Sequence, residues 1–180
     1  MSADAKQQIR ELIRERIALL DTKIELGGRL VASETWRAAG RVLLFSPLPD
    51  EPQFSEVWES NDGKTLCLPR FVADTGAYEA AVIANRETDL VKGKFGIPEP
   101  GPECSSLLLN QLDLVLVPGV AFTPFGARLG RGRGFYDRIL AAVTGRKIGV
   151  AFDEQLVDEL PVESHDQWVD AILTPTRWIT

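Results

Sequence analysis

The chain has 180 residues, 44% hydrophobic and 26% charged, enough apolar material for a core without disulfides and too much for wholesale disorder. Its formal net charge of -6 and pI near 4.9 argue against a general DNA or RNA binder, which needs a basic face. Cys67 and Cys104 form no CxxC, no secretory h-region follows the N-terminus, and no apolar run approaches the ~18 residues that span a bilayer, so one domain over residues 1–180 is expected, in the cytoplasm and away from membranes.

The first segment reads as a helix. Ser2 or Asp4 can cap it, and Ile9, Leu12, Ile13, Ile17 and Leu20 recur at helical spacing. A second helical stretch runs from about Lys23 to Ser33, weakened by Gly27-Gly28, and a short one from Glu34 to Ala39. Arg41 to Ser46 is a buried strand stopped by Pro47 and Pro49. Gln53 to Ser60 reads as a short helix, Asn61-Asp62-Gly63 as a turn, and Lys64 to Leu68 as a strand ended by Pro69. Tyr78 to Ala84 alternates like a strand, and Ile97 to Pro102 is a proline-rich loop. Leu112 to Val117 is a continuous apolar run, as central parallel strands show. Phe135 to Val143 follows as helix, Lys147 to Ala151 as strand, Asp153 to Leu160 as helix and Trp168 to Thr174 as a last strand. Strands alternating with helices predict an α/β fold with a mostly parallel sheet and helices on both faces.

The chemistry concentrates between Arg128 and Arg138, in the order strand, glycine-rich loop, helix. Ligands of open α/β sheets bind beyond the carboxyl ends of the strands, where such loops sit. Gly130, Gly132 and Gly134 let the backbone take positive φ and let a ligand approach it, and successive N–H groups there can form an anion nest. The helix that follows adds a partial positive charge. Arg128, Arg131, Arg133 and Arg138 share this window, opposed only by Asp137. A locally cationic loop on an acidic chain points to a small polyanion, with phosphate the best candidate. The spacing GxGxG matches neither the GxGxxG of a dinucleotide fold nor GxxxxGK[ST]. Asp137 beside the phosphates is placed to hold Mg²⁺, which takes one or two carboxylates with phosphate oxygens. A flexible hairpin or a small RNA-binding patch is the plainer alternative for such a loop.

Together these segments resemble the 5-formyltetrahydrofolate cyclo-ligase family. The resemblance begins at Lys6-Gln-Gln-Ile-Arg10 and continues at Ser46-Pro-Leu-Pro-Asp-Glu51, Leu68-Pro-Arg70 and Lys94-Phe-Gly-Ile-Pro-Glu-Pro100. It peaks at Asp113 to Gly119 and at Arg128-Leu-Gly-Arg-Gly-Arg-Gly-Phe-Tyr-Asp137, and closes with Leu160-Pro-Val-Glu-Ser-His-Asp166. It implies a single Rossmann-like three-layer domain that consumes ATP, with Mg²⁺, to turn 5-formyltetrahydrofolate, with or without a polyglutamate tail, into 5,10-methenyltetrahydrofolate. A monomer without nucleic-acid partners is expected. By the same resemblance ATP contacts fall on Lys6, Arg10, Arg128, Leu129, Gly130, Arg131, Gly132, Arg133, Gly134, Phe135 and Tyr136. Folate contacts fall on Glu51, Phe95, Arg131, Arg133 and Phe135, and Mg²⁺ on Asp137 and Asp166. Arg131 and Tyr136 are the residues expected to carry catalysis. Phe135 stands where members often have Tyr, and Pro52-Gln53-Phe54 replaces the usual run after Glu51. A relative that keeps the fold but binds nucleotide or RNA without turnover, and a ligase for another pterin or amide, are the competing readings.

Overall fold

The computed structural model describes residues 2–60, 63–93 and 96–180; Phe95 and the turn at Asn61-Asp62 lie outside the described residues. Helix α1 (Ser2–Ile17) carries Asp4 inside its first turn, where the carboxylate complements the macrodipole, rather than ahead of it as a cap. Ile13 and Ile17 are buried from it, whereas Leu12, expected to face the core, is exposed. The second helix is shorter than expected: α2 spans Gly27–Val31, because Glu25 bridges to Gln53 and the Leu26 N–H donates to the Gln53 carbonyl. Ser33 then caps α3 (Glu34–Ala38), its Oγ accepting from the Trp36 N–H at 3.1 Å.

Among the described residues the main sheet has eight strands: β1 (Arg41–Leu43), β2 (Thr65–Val72), β3 (Ala77–Val82), β6 (Ser106–Leu107), β7 (Leu114–Pro118), β10 (Arg146–Val150), β11 (Ala171–Leu173) and β12 (Trp178–Ile179). Their spatial order is β12-β11-β10-β7-β1-β2-β3-β6. The five strands from β11 to β2 are parallel, and β12 and β3 run against them. Two small ribbons complete the strands: β4 (Leu90–Lys92) with β5 (Pro98–Pro100), and β8 (Ala121–Phe122) with β9 (Arg128–Leu129). The remaining helices are α4 (Glu56–Glu59), α5 (Arg86–Asp89) and α6 (Phe135–Leu140).

The apolar runs of the central strands follow from burial on both faces. Val42, Leu44, Leu114, Leu116, Ile148 and Val150 pack with Leu30, Trp36 and Val57 of α2, α3 and α4. Leu43, Val115, Val117 and Ile172 pack with Ile139 and Leu140 of α6 on the other face. Helix α1 belongs to neither layer. Its Ile13 and Ile17 meet Ala121, Leu129 and Phe152 in a separate small cluster over the β8–β9 ribbon.

Further sequence expectations are corrected: the proline-rich stretch read as a loop supplies strand β5. Pro69 does not end β2; it pairs with Ala80 of β3. The Ile83 N–H donates to the Leu66 carbonyl, and such pairs alternate, so Pro69 falls where β3 needs no donor, beyond the end of β1. Helix α6 stops at Leu140 rather than Val143. The next residues turn tightly so that Gly145 can lie on the Leu112–Asp113 backbone, where a Cβ would meet the Leu112 carbonyl oxygen at 2.2 Å. Asp153 to Leu160 is not helical beyond a 3-10 turn at Asp153–Gln155, because Asp153 turns outward to accept from the Thr174 and Thr176 hydroxyls, both at 2.7 Å.

The buried Phe122 ring fits only because two neighbours lack side chains. A Cβ on Gly119 would sit 2.5 Å from it, and one on Gly149 2.7 Å. Gly149→Ala is expected to lower stability by about 1–3 kcal/mol through overpacking. Adding Phe122→Leu should recover part of that loss, a non-additivity that denaturant titration of the single and double variants will measure.

Candidate active site

Strands β1 and β7 are parallel neighbours, so their carboxyl ends open on the same edge of the sheet. The segment after β1 brings Asp50 and Glu51 to that edge. After β7 the chain makes the β8–β9 ribbon and returns through 130–134 into α6. Gly132 (φ +96°) and Gly134 (φ +61°) carry the backbone through left-handed conformations that side-chain-bearing residues resist. Gly134 is the residue that turns the chain into α6. With six residues, α6 supplies a weaker end charge than the longer helix expected here.

The loop is anchored from below by Arg128. Its side chain is only 3% exposed, its Nη2 lies 2.6 Å from Asp137 Oδ1, and its Nη1 donates to the Pro118 carbonyl at 3.3 Å. Gly130 lies directly against this guanidinium, where a Cβ would meet Nη1 at 2.9 Å. The sequence places Arg128 among the phosphate contacts; its guanidinium is instead enclosed, with Nε buried and without a hydrogen-bond partner among the described residues. Leu129 is likewise a core side chain under α1, leaving only its backbone for a ligand.

Helix α1 crosses the loop. Arg10 Nε donates to the Gly130 carbonyl at 3.0 Å, and its guanidinium approaches Gly132. Four residues earlier, Lys6 Nζ reaches Asp166 Oδ2 at 2.9 Å and Glu163 Oε2 at 3.2 Å. Burial alone would raise the Asp166 carboxyl, but hydrogen bonds from Lys6 and the Glu163 N–H outweigh it and hold Asp166 below the usual range.

Arg131 faces the other way. Its Nη2 contacts Asp50 Oδ1 at 2.8 Å and Glu51 Oε1 at 3.1 Å. Glu51 is 6% exposed, and its second oxygen accepts from the Leu48 N–H at 3.0 Å. Burial pushes the Glu51 carboxyl above its ordinary range, and the Leu48 N–H and the Arg131 charge only partly offset this. Beside it the Tyr136 hydroxyl is buried with no partner among the described residues. Burial raises its pKa, the Glu51 charge adds to that, and Arg128, 5.9 Å from the ring, opposes it. Phe135 packs edge-on against Tyr78 of β3, with centroids 4.3 Å apart, and Arg138 Nη2 donates to the Tyr78 hydroxyl at 3.0 Å. Arg133 lies on the exposed part of the loop.

The site therefore gathers Lys6 with Asp166, Arg10 with Gly130, Arg131 with Glu51, and Arg128 with Asp137 and Tyr136. It does not place Asp137 in one cluster with Asp166. Among the described residues, the group able to converge on a metal is Glu163, His165 and Asp166, with ligand atoms within 4.8 Å of one another. Asp137 is tied in through the Gln167 N–H, 3.3 Å from its Oδ1. Carboxylate oxygens are the hard donors Mg²⁺ favours, so Glu163, Asp166 and Asp137 suit that ion better than the His165 imidazole does. Three contributors were missed in the sequence. Asp50 stood beside Glu51, Glu163 lies three residues before Asp166, and Tyr78 carried no local signal.

A mixed α/β protein with a large, mostly parallel sheet and a glycine-arginine loop at its carboxyl edge is thereby defined. The model of the 5-formyltetrahydrofolate cyclo-ligase family matches residues 3–175, and the chain belongs to that family of enzymes. A 5-formyltetrahydrofolate cyclo-ligase of Mycolicibacterium smegmatis is 37% identical over 166 residues, covering 91% of this chain and 68% of that protein. One from Escherichia coli K12 is 34% identical over 134 residues, 72% of each chain. The structure of Aquifex aeolicus 5,10-methenyltetrahydrofolate synthetase matches with a TM-score of 0.80 at 30% identity, over 96% of this chain and 91% of that one.

Because the folded state binds the Glu51 proton more tightly than the unfolded chain, Glu51 erodes stability as pH rises from about 4.3, its unfolded value, through its raised folded value. Removing the guanidinium in Arg131→Gln widens that interval. The variant should match the wild type near pH 4.5 and fall behind it by about 1–2 kcal/mol at pH 7.5, less than for a fully buried pair because Arg131 is 48% exposed. Urea titrations at the two pH values will measure the gap.

Proposed function

We propose that this enzyme converts 5-formyltetrahydrofolate and ATP into 5,10-methenyltetrahydrofolate, ADP and phosphate, as a cytoplasmic monomer built on one Rossmann-like three-layer domain. The observation that carries the reading is Arg131. It belongs to the glycine loop assigned to phosphate, yet its guanidinium rests on the buried Glu51 assigned to folate. A group that spans both subsites is what transfer between two bound substrates needs.

An amide-like formyl oxygen is a poor leaving group and phosphate a good one. In the proposed sequence the formyl oxygen attacks the γ-phosphorus, and the bond from that phosphorus to the β-bridging oxygen breaks, releasing ADP. N10 of the folate then bonds to the activated carbon and loses its proton, the carbon–oxygen bond breaks, and phosphate leaves. Phosphoryl transfer asks the protein for positioning and charge neutralisation above all. Gly130, Gly132 and Gly134 offer backbone N–H groups, and Lys6, Arg10, Arg131 and Arg133 offer positive charge. Arg128 acts from beneath, holding the loop's shape. Asp137 and Asp166, with Glu163 adjacent, would hold Mg²⁺, which supplies neutralisation of phosphate charge when bound. Glu51 accepts hydrogen bonds from the pterin, while Phe95 and Phe135 offer flat rings to the folate. Tyr136 stays protonated because it is buried, and its unpartnered donor serves a substrate oxygen once the substrate has opened the enclosure around it.

The purified protein mixed with 5-formyltetrahydrofolate, ATP and Mg²⁺ at mildly acidic pH should develop the methenyl absorbance band only when ATP is present. A folded protein that binds ATP but gives no band has another substrate. Arg131→Ala should cut turnover by about two orders of magnitude, and undiminished turnover would remove Arg131 from the mechanism. Tyr136→Phe should cut turnover by about tenfold or more without loss of stability, because the hydroxyl it deletes has no partner among the described residues.

A further inference from the structure

We propose that Asp50 is a positioning residue for Arg131, a latch that couples folate binding to ATP binding. The inference rests on the assignment of Glu51 to folate and of the glycine loop to phosphate. One terminal nitrogen of Arg131 bridges two carboxylates, Asp50 Oδ1 at 2.8 Å and Glu51 Oε1 at 3.1 Å. Both oxygens of buried Glu51 are engaged, one by Arg131 and one by the Leu48 N–H. For the Arg131 nitrogen that bridges them to serve phosphate it must leave both acids, and Glu51 would then keep a buried oxygen without a donor, an unfavourable state. ATP alone therefore binds against the latch.

Folate changes that balance. A pterin ring presents N–H donors, and when these satisfy Glu51, Arg131 is held by Asp50 alone. Asp50 is half exposed and gives up its partner to water at little cost; its larger effect is on the other contact, because it orients the guanidinium on Glu51 and that contact weakens without it. The released guanidinium then reaches the phosphates. Each substrate thus removes an obstacle to the other, and the same factor must appear in both affinities. An arginine that turns to phosphate only when folate is present also disfavours futile ATP hydrolysis.

The test titrates an ATP analogue with an imido β,γ-bridge into the full-length enzyme, with and without saturating 5-formyltetrahydrofolate, for wild type and Asp50→Asn. Folate should tighten analogue binding to the wild type about 5- to 50-fold. In the variant the analogue alone should bind several-fold tighter than to wild type, and the folate-dependent ratio should shrink without reaching one, because Glu51 still holds Arg131. A wild-type ratio of one overturns the latch. So does an Asp50→Asn protein that binds the analogue tighter by the same factor in both arms, since that is the effect of deleting a nearby negative charge. A methenyl band from the wild type in a parallel assay separates the two levels. With the band present, either result sinks the coupling alone; with the band absent, the assignment beneath it fails as well.

Discussion

The site takes its shape from one enclosed guanidinium. Arg128 leaves β9 and reaches inward, to the Pro118 carbonyl at the end of β7 and to Asp137 in the first turn of α6. Strand, ribbon and helix meet on that group, and the glycine loop drapes over it. A Cβ on Gly130 would sit 2.9 Å from Nη1, so a side chain there would push the guanidinium from its place. A buried pair of this kind adds little net stability, since desolvation consumes much of the attraction. What it adds is definition. With Asp137 paired, Arg128 can sit in only one place, and the loop above it inherits that place.

Helix α1 is attached to this arrangement rather than built into it. Its apolar contacts form a small cluster of their own, with Leu129 of β9 and Phe152, apart from the two layers against the sheet. Its polar contacts run the other way, from Arg10 to the loop carbonyl of Gly130 and from Lys6 to Asp166 and Glu163. Both cations lie on one face because they are four residues apart. The helix therefore closes one side of the site with contacts that are mostly electrostatic, and since Lys6 and Asp166 are only 12% and 14% exposed, a competing anion must replace them at close range.

What the sequence made legible was whatever depends on neighbours along the chain. Strand β7 was read from the run Leu114 to Val117, because burial on both faces makes every side chain there apolar. The order strand, glycine loop, helix was read for the same local reason. Errors arose where a distant partner decided. Asp153 to Leu160 has helical composition, but Asp153 is recruited by hydroxyls some twenty residues on. Pro69 looks like a terminator until the ladder shows that its missing N–H lies on the unpaired side. In the site, local charge counting grouped Arg128 with Arg131 and Arg133 as equals. Burial separates them: the Arg128 guanidinium turns inward to Asp137 and the Pro118 carbonyl, and charge counting along the chain does not tell which arginine an acid such as Asp137 will enclose. Asp50 and Glu163 were passed over for a related cause: each matters through an ion pair to a residue far along the chain.

Those long-range pairs set how such a site meets a polyanion. Lys6 rests on Asp166, Arg10 on a carbonyl, Arg128 on Asp137, and Arg131 on Asp50 and Glu51. These cations are not an open positive surface waiting for charge; Lys6, Arg128 and Arg131 are already paired with the protein's own acids, in keeping with a chain of net charge -6. Binding phosphate is then an exchange of partners. A diffuse polyanion gains little from such an exchange where it must displace carboxylates and offers them nothing in return. A ligand that also supplies something to the displaced acids, a divalent cation for Asp166 or hydrogen-bond donors for Glu51, makes the exchange favourable on both sides. Selectivity then comes from self-neutralisation as much as from shape, and it favours a ligand set that arrives with both signs of charge.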